Sequence, residues 1–272
     1  MNNNLVFYYC NVPTALSILK DHQIWMTSIR NLNDGNETIG VYKMIFNLLE
    51  KYDEGNHLSA MLEFARQPGA IQLYETPLGA YPEYIACFSK NSDSVSQWIA
   101  YADNGQGIAI GFDETAFIQI ASKKELAYHR ITYVSEDELQ KYIPFLYERL
   151  LEKLCDNNLQ MMDIAMEHIK RSYPSGINLK TIHYASESEK RIIYQYPEKI
   201  ENLPDGWGIK KIEAYAKSNM INTYVPLTFP KDIIKKIVIG PKYQKNYFEF
   251  ELAMEVLGYT GVEICESTSN YR

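Results

Sequence analysis

The chain has no uninterrupted run of 18 apolar residues, the least that a membrane-spanning helix needs, so no contact with a membrane is expected. Its opening, Met1-Asn2-Asn3-Asn4, carries no basic region followed by an apolar stretch, which makes the cytoplasm the expected compartment. Cysteine is scarce. Cys10, Cys87, Cys155 and Cys265 stand too far apart for a zinc knuckle and are expected to be reduced core thiols, and no metal is expected. There is no phosphate loop, no Gly-x-Ser-x-Gly elbow and no His-Glu-x-x-His, which removes the commonest kinase and hydrolase readings. Gly105-Gln-Gly107 fails as a dinucleotide loop, because the third glycine falls at Ile110 and the segment leads into a strand. Glu54-Gly-Asn-His57 has ligand-like spacing, but its glycine weakens any helix that would align the pair, and no second pair accompanies it. Internal repeats, low-complexity tracts and Pro/Ser-rich linkers are absent as well.

What remains is the composition of a folded protein: 46% hydrophobic and 22% charged residues over 272 positions, with net charge −7. A chain of this size buries roughly three quarters of its unfolded surface. The 22 tyrosines come with abundant Asn, Lys and Ile, a pattern that reads as an AT-rich genome before a tyrosine-based function. Charge is uneven. Residues 170–245 hold 14 basic and 7 acidic side chains, and the remainder is strongly acidic. That asymmetry allows an anionic ligand near the later segment, while the acidic total argues against indiscriminate nucleic-acid binding.

Strands are expected at Leu5–Cys10, Ile24–Ser28, Tyr84–Ser89, Gly107–Phe112, Tyr128–Tyr133, Arg191–Tyr196, Tyr224–Phe229, Ile234–Ile239 and Val262–Cys265. Helices are expected after Pro13, at Thr38–Lys51, Leu58–Arg66 and Val95–Tyr101, after Asp113, and at Asn246–Leu257, with Asp93 capping the one that starts at Val95. Residues 136–171 read as two helices broken near Asp156-Asn-Asn158, a helical insertion between strands. Strands and helices do not alternate regularly, so the expectation is one α+β domain over residues 1–272 with a mixed sheet.

Glu187-Ser-Glu189-Lys-Arg191 stands just before an apolar strand. If the strand includes both acids, they point the same way as Arg191, because side chains alternate with period two. The other reading is a salt-bridged strand end. Trp98 and Tyr101, spaced for one helix face, are either core rings or stacking rings, and Asn33-Asp34 with Glu37 either caps a helix or meets a ligand.

Several segments, in order along nearly the whole chain, resemble a bacterial family known as domain of unknown function 2971. They are Leu5–Leu19, Trp25–Asp34 with Glu37, Cys87-Phe-Ser89, Gln97–Gly105 through Gly111-Phe-Asp113, Tyr184 with Glu187-x-Glu189-x-Arg191, Ile237–Pro241, and Ile264–Ser267 with Tyr271-Arg272. Members of that family are in turn similar to ADP-ribosyltransferases, and the resemblance implies a fold of that type with NAD as a substrate. It implies Glu189 as the catalytic glutamate, Glu187 as the group that deprotonates or orients the acceptor, and Ser89 as the serine that orients Glu189. Arg191 or Arg30 would hold the pyrophosphate, and Tyr8, Tyr9, Thr27, Asp34, Trp98 and Tyr101 would complete the cofactor-binding set. Cleaving the nicotinamide–ribose bond passes through a cationic sugar, which a nearby carboxylate stabilises. One departure is visible. Where many relatives carry His or Lys beside the first-strand tyrosine and then Thr or Arg, this chain has Tyr8-Tyr9-Cys10.

The expectation is therefore an NAD-binding protein that transfers ADP-ribose to a macromolecular acceptor, protein or nucleic acid, in the manner of a toxin or antiphage effector. Its alternatives are NAD hydrolysis and a noncatalytic module that binds a nucleotide or a protein. The sequence leaves the acceptor and the oligomeric state open.

Overall fold

Strands rich in β-branched and aromatic residues dominate the chain, because such side chains suit a pleated, half-buried surface. The computed structural model describes residues 4–29, 37–67, 83–121, 126–152, 160–161, 163–165, 179–196, 203–217, 219–244 and 246–271. In chain order its strands are β1 (Leu5–Cys10), β2 (Gln23–Ser28), β3 (Glu83–Ser89), β4 (Ile108–Asp113), β5 (Leu126–Arg130), β6 (Thr132–Val134), β7 (Leu179–Thr181), β8 (Glu189–Gln195), β9 (Gly208–Ile209), β10 (Glu213–Lys217), β11 (Met220–Thr228), β12 (Ile234–Ile239) and β13 (Glu263–Glu266). With several helices and a mixed sheet, the class is α+β. No helix among the described residues is long and apolar enough to cross a membrane.

Two compact units stand where the sequence is read as one domain. The first comprises Met1–Asn31, Glu83–Arg130 and Ser186–Arg272; the second comprises Leu32–Pro82 and Ile131–Ala185. The stretch read as a helical insertion thus supplies only part of the second unit, and residues 32–82 supply the rest.

In the first unit an 11-stranded sheet runs β10-β11-β2-β3-β1-β4-β12-β13, with β8 and then β5 added beside β3, and β9 beside β11. Its pairs are antiparallel except β12 with β13. Period-two alternation along β1 and β4 fills both faces. Val6, Cys10, Ile108, Ile110 and Phe112 enter the main core, while Phe7, Tyr9 and Ala109 pack with Trp98 and Val238 on the other side. A side chain at Gly107 would put its Cβ 2.2 Å from the Cys10 carbonyl oxygen, so glycine is required where these strands meet. The helix Val12–Asp21 starts as expected, with the Asn11 side chain accepting from the Thr14 N–H and Pro13 in the first turn.

In the second unit the helices Glu37–Tyr52 and Ser59–Arg66 share a core with the helix Glu136–Glu152, through Val41, Ile45, Leu49, Met61, Leu62, Ile143, Leu146 and others. Ser135 and Glu138 form a capping box at the start of the last of these. The buried Asp53 carboxylate accepts from the His57 and Leu58 N–H groups and from the Tyr147 hydroxyl, at 2.9, 2.7 and 2.8 Å. β6 and β7 make a small parallel ladder here, so the single strand expected at Tyr128–Tyr133 is two, divided at Ile131. The expected helix break at Asp156–Asn158 lies outside the described residues.

Candidate functional site

β3 holds β8 along its whole length on one edge, with Ser89 opposite Glu189, Cys87 opposite Arg191 and Ile85 opposite Ile193. Its other edge is shared. β2 pairs with Tyr84 and Ile85 and β1 pairs with Ser89, so along this edge the ladder passes from β2 to β1 between Ile85 and Ser89. The sheet forks at this point into one arm led by β1 and another led by β2.

At the fork, Glu189 and Arg191 lie two residues apart on the same face of β8 and are 5% and 3% exposed. The Arg191 Nε and Nη2 donate to the two Glu189 carboxylate oxygens at 2.5 and 3.2 Å, a bidentate ion pair. Glu187 does not join this face. It ends a 3₁₀ helix (Ile182–Glu187), and Ser188 takes a positive φ of 47° before β8 begins, so strand alternation does not align the two acids. The expected role of Ser89 also changes. Ser89 is opposite Glu189 in register, yet its hydroxyl donates to the Glu187 carbonyl oxygen at 2.6 Å and accepts from the Asn91 N–H at 3.1 Å. It fixes the chain entering β8 and not the Glu189 carboxylate, helped by the Lys90 N–H on the Ser188 carbonyl and the Asn91 amide on the Ser186 carbonyl.

The opposite face of β8 is pinned as well. Lys190 and Lys90 donate to the buried Glu114 carboxylate at 3.1 and 2.9 Å, and the Tyr128 hydroxyl adds a third bond at 2.9 Å. Burial raises the Glu114 pKa, but the two ammonium groups and the phenol outweigh it and hold the carboxyl below its ordinary value.

Tyr9 and Trp98 are 7% and 0% exposed, with rings edge to face at 4.7 Å. The Tyr9 hydroxyl donates to the Asn91 carbonyl and accepts from the Ser94 N–H, and the Trp98 indole N–H donates to Asp93 at 2.7 Å. Both are packed as core rings. Asp93 is not the helix cap expected; Ser94 precedes the helix without a side-chain bond. The Asp93 carboxylate instead holds the chain's last segment, accepting from the Ser267 hydroxyl at 2.5 Å and from the Thr268 N–H and hydroxyl at 2.6 and 2.9 Å. Burial raises its pKa, and the bonds from Ser267, Trp98 and Thr268 together lower it below the ordinary value. A carboxyl depressed in the folded state adds stability above its unfolded pKa of about 3.9 and loses it as pH falls through the folded value. Thermal unfolding followed from pH 7 to pH 2.5 is therefore expected to show a loss below about pH 4 that shrinks in Asp93→Asn.

Of the other expected ligand residues, Tyr8 on β1 is half-buried and packs edge-on to Phe88 at 5.8 Å. Burial, with Cys10, Cys87 and Tyr215 within electrostatic reach, raises its hydroxyl pKa well above the ordinary phenol value. Thr27 is half-buried on β2 opposite Tyr224 and Ile85, and Tyr101 is 39% exposed. Arg30 and Asp34 lie outside the described residues. The structure thus gathers Glu189, Arg191 and Ser89 at the fork, with Tyr8 on the first strand of one arm and Thr27 on the first strand of the other. Sequence reasoning missed Trp25, Tyr215, Asn222 and Tyr224 on the β2 arm. Alternation within Glu213-Ala-Tyr-Ala-Lys217 was the one available signal for Tyr215.

Among the described residues no group of three or more His, Cys, Asp or Glu side chains is arranged to hold a metal ion. Residues 97–192 match the family model described as protein of unknown function DUF2971. The resemblance read from the sequence is borne out over that stretch, which carries Trp98, Tyr101, Glu187, Glu189 and Arg191. The DUF2971 segment therefore contains the ion pair at the fork, while Tyr8, Thr27 and Ser89 precede it. None of the curated proteins and none of the solved structures matches the chain.

Proposed function

We propose that the first unit, as an ADP-ribosyltransferase-like fold, binds NAD as a substrate, breaks its nicotinamide–ribose bond and passes ADP-ribose to a macromolecular acceptor. The observation that carries this reading is the buried Glu189–Arg191 pair at the fork of the sheet. An ionised pair this deep is a poor source of stability, since apolar residues of similar volume serve as well or better, so its presence points to use. Arg191 presents a planar fork suited to a diphosphate. A diphosphate that draws the guanidinium away leaves the Glu189 carboxylate to face the ribose, where it stabilises positive charge as the C1′–N bond breaks and nicotinamide leaves. The acceptor's nucleophile then bonds to C1′, and its proton passes to solvent, since Glu187 stands off this face. Water in place of the acceptor gives hydrolysis.

One observation favours a second reading, a noncatalytic nucleotide- or protein-binding module. Both Glu189 oxygens accept from Arg191, so the carboxylate is neutralised in the free protein. Calorimetry with NAD separates a nucleotide site from a pure protein-interaction role. Incubation with NAD and cell lysate, followed by mass analysis, separates transfer, seen as ADP-ribose on an acceptor, from hydrolysis, seen as free ADP-ribose. Binding without either product supports the module.

A further inference from the structure

Three aromatic rings meet on the β2 arm. Trp25 stacks on Tyr224 with centroids 3.9 Å apart and planes 23° from parallel, and Tyr215 lies 5.5 Å from Trp25 and edge-on to Tyr224 at 5.6 Å. Register explains the meeting: Tyr224 is opposite Thr27 on β2 and opposite Glu213 on β10, and Tyr215 is opposite Asn222. The Tyr224 hydroxyl donates to Glu213 at 2.6 Å, which fixes that ring. Trp25 remains 39% exposed although Tyr224 covers one of its faces.

Beside these rings lies Asn222, 1% exposed. Its amide N–H donates to the Tyr215 hydroxyl at 3.4 Å, a long bond, and its carbonyl oxygen has no hydrogen-bond partner. Turning the amide over does not help, because one phenol cannot satisfy both ends. A buried acceptor without a donor carries the full desolvation penalty of that group, and a leucine would fill the position without it. The cluster also reaches toward the other arm of the fork, where the Tyr8 hydroxyl feels Tyr215 electrostatically.

We infer that Trp25, Tyr215 and Asn222 form a subsite for a planar heteroaromatic ring bearing an N–H donor, the ring stacking on Trp25 and the donor meeting the Asn222 carbonyl oxygen. A stacked ring gains dispersion and buries the open indole, and the donor satisfies the orphaned acceptor. Adenine, through its exocyclic amine, and nicotinamide, through its carboxamide, both have this chemistry. The subsite stands on these three residues, with Tyr224 behind Trp25, and does not depend on the reading of Glu189.

The test uses the full chain and four ligands: adenosine, nicotinamide, and their N6,N6-dimethyl and N,N-dimethyl forms, which keep the ring and lose the N–H. Binding is followed by calorimetry and tryptophan fluorescence. Adenosine, nicotinamide or both are expected to bind the wild-type chain, with whichever binds naming the source. The dimethyl form of that ligand is expected to bind about tenfold more weakly. Asn222→Leu is expected to weaken the N–H ligand by a similar factor, to leave the dimethyl form unchanged, and to unfold at the same temperature or higher. The inference is overturned if neither parent ring binds, or if the dimethyl form binds as tightly as its parent. The ligand series on the wild-type chain decides the matter even if Asn222→Leu does not fold. Nicotinamide release from NAD with no ring binding removes this subsite and leaves the role of Glu189 standing; ring binding without NAD cleavage does the reverse.

Discussion

Arg191→Leu is expected to destabilise the protein by about 3–5 kcal/mol, because it removes the guanidinium that both oxygens of the buried Glu189 carboxylate accept from. The geometry sets the size of the effect. Both carboxylate oxygens accept from one guanidinium, and both side chains are almost wholly removed from solvent. Replacing both residues by apolar ones, Glu189→Leu with Arg191→Met, is expected to restore most of the loss, since no charge then remains to be desolvated. Urea denaturation of the two single variants and the double variant closes a double-mutant cycle that isolates the coupling. A single variant within about 0.5 kcal/mol of wild type shows that the pair contributes little to the fold.

The second large effect concerns chemistry. Glu189→Gln keeps a carbonyl oxygen for the Arg191 Nε–H and removes the negative charge, so it is expected to lower nicotinamide release from NAD by about 10²–10³ while NAD still binds. The same substitution removes the carboxylate charge that faces the buried guanidinium, so the thermal midpoint is to be measured alongside and turnover compared well below it. A variant that is folded, binds NAD and turns over at the wild-type rate removes Glu189 from the reaction. A loss of binding together with turnover assigns the residue to holding the site.

Much of this architecture is legible in local sequence. β12 (Ile234–Ile239) and β1 (Leu5–Cys10) fall where their apolar runs put them, and Asn246 caps the helix Tyr247–Val256 by accepting from the Glu249 N–H. The hairpin of β10 and β11 was legible only in part. Glu213-Ala-Tyr-Ala-Lys217 has no apolar run, and Met220 and Ile221 stay exposed, so only a short alternation marks that edge of the sheet. The site fared similarly. The closeness of Glu189 and Arg191 follows from strand alternation alone, whereas the exclusion of Glu187 turns on one positive φ at Ser188, a non-glycine residue that gives no warning. Asp93 looked like a cap because it precedes a helix, but its partners Ser267 and Thr268 lie 174 and 175 residues away, and no spacing rule reaches that far. The orphaned oxygen of Asn222 is likewise a product of tertiary burial.

The measurement that bears most directly on the proposed activity is the time course of free nicotinamide when NAD is incubated with the wild-type chain, with and without lysate as a source of acceptor. Steady release in the wild type, nearly stopped in folded Glu189→Gln, is the expected result. No release from the wild-type chain under either condition contradicts it.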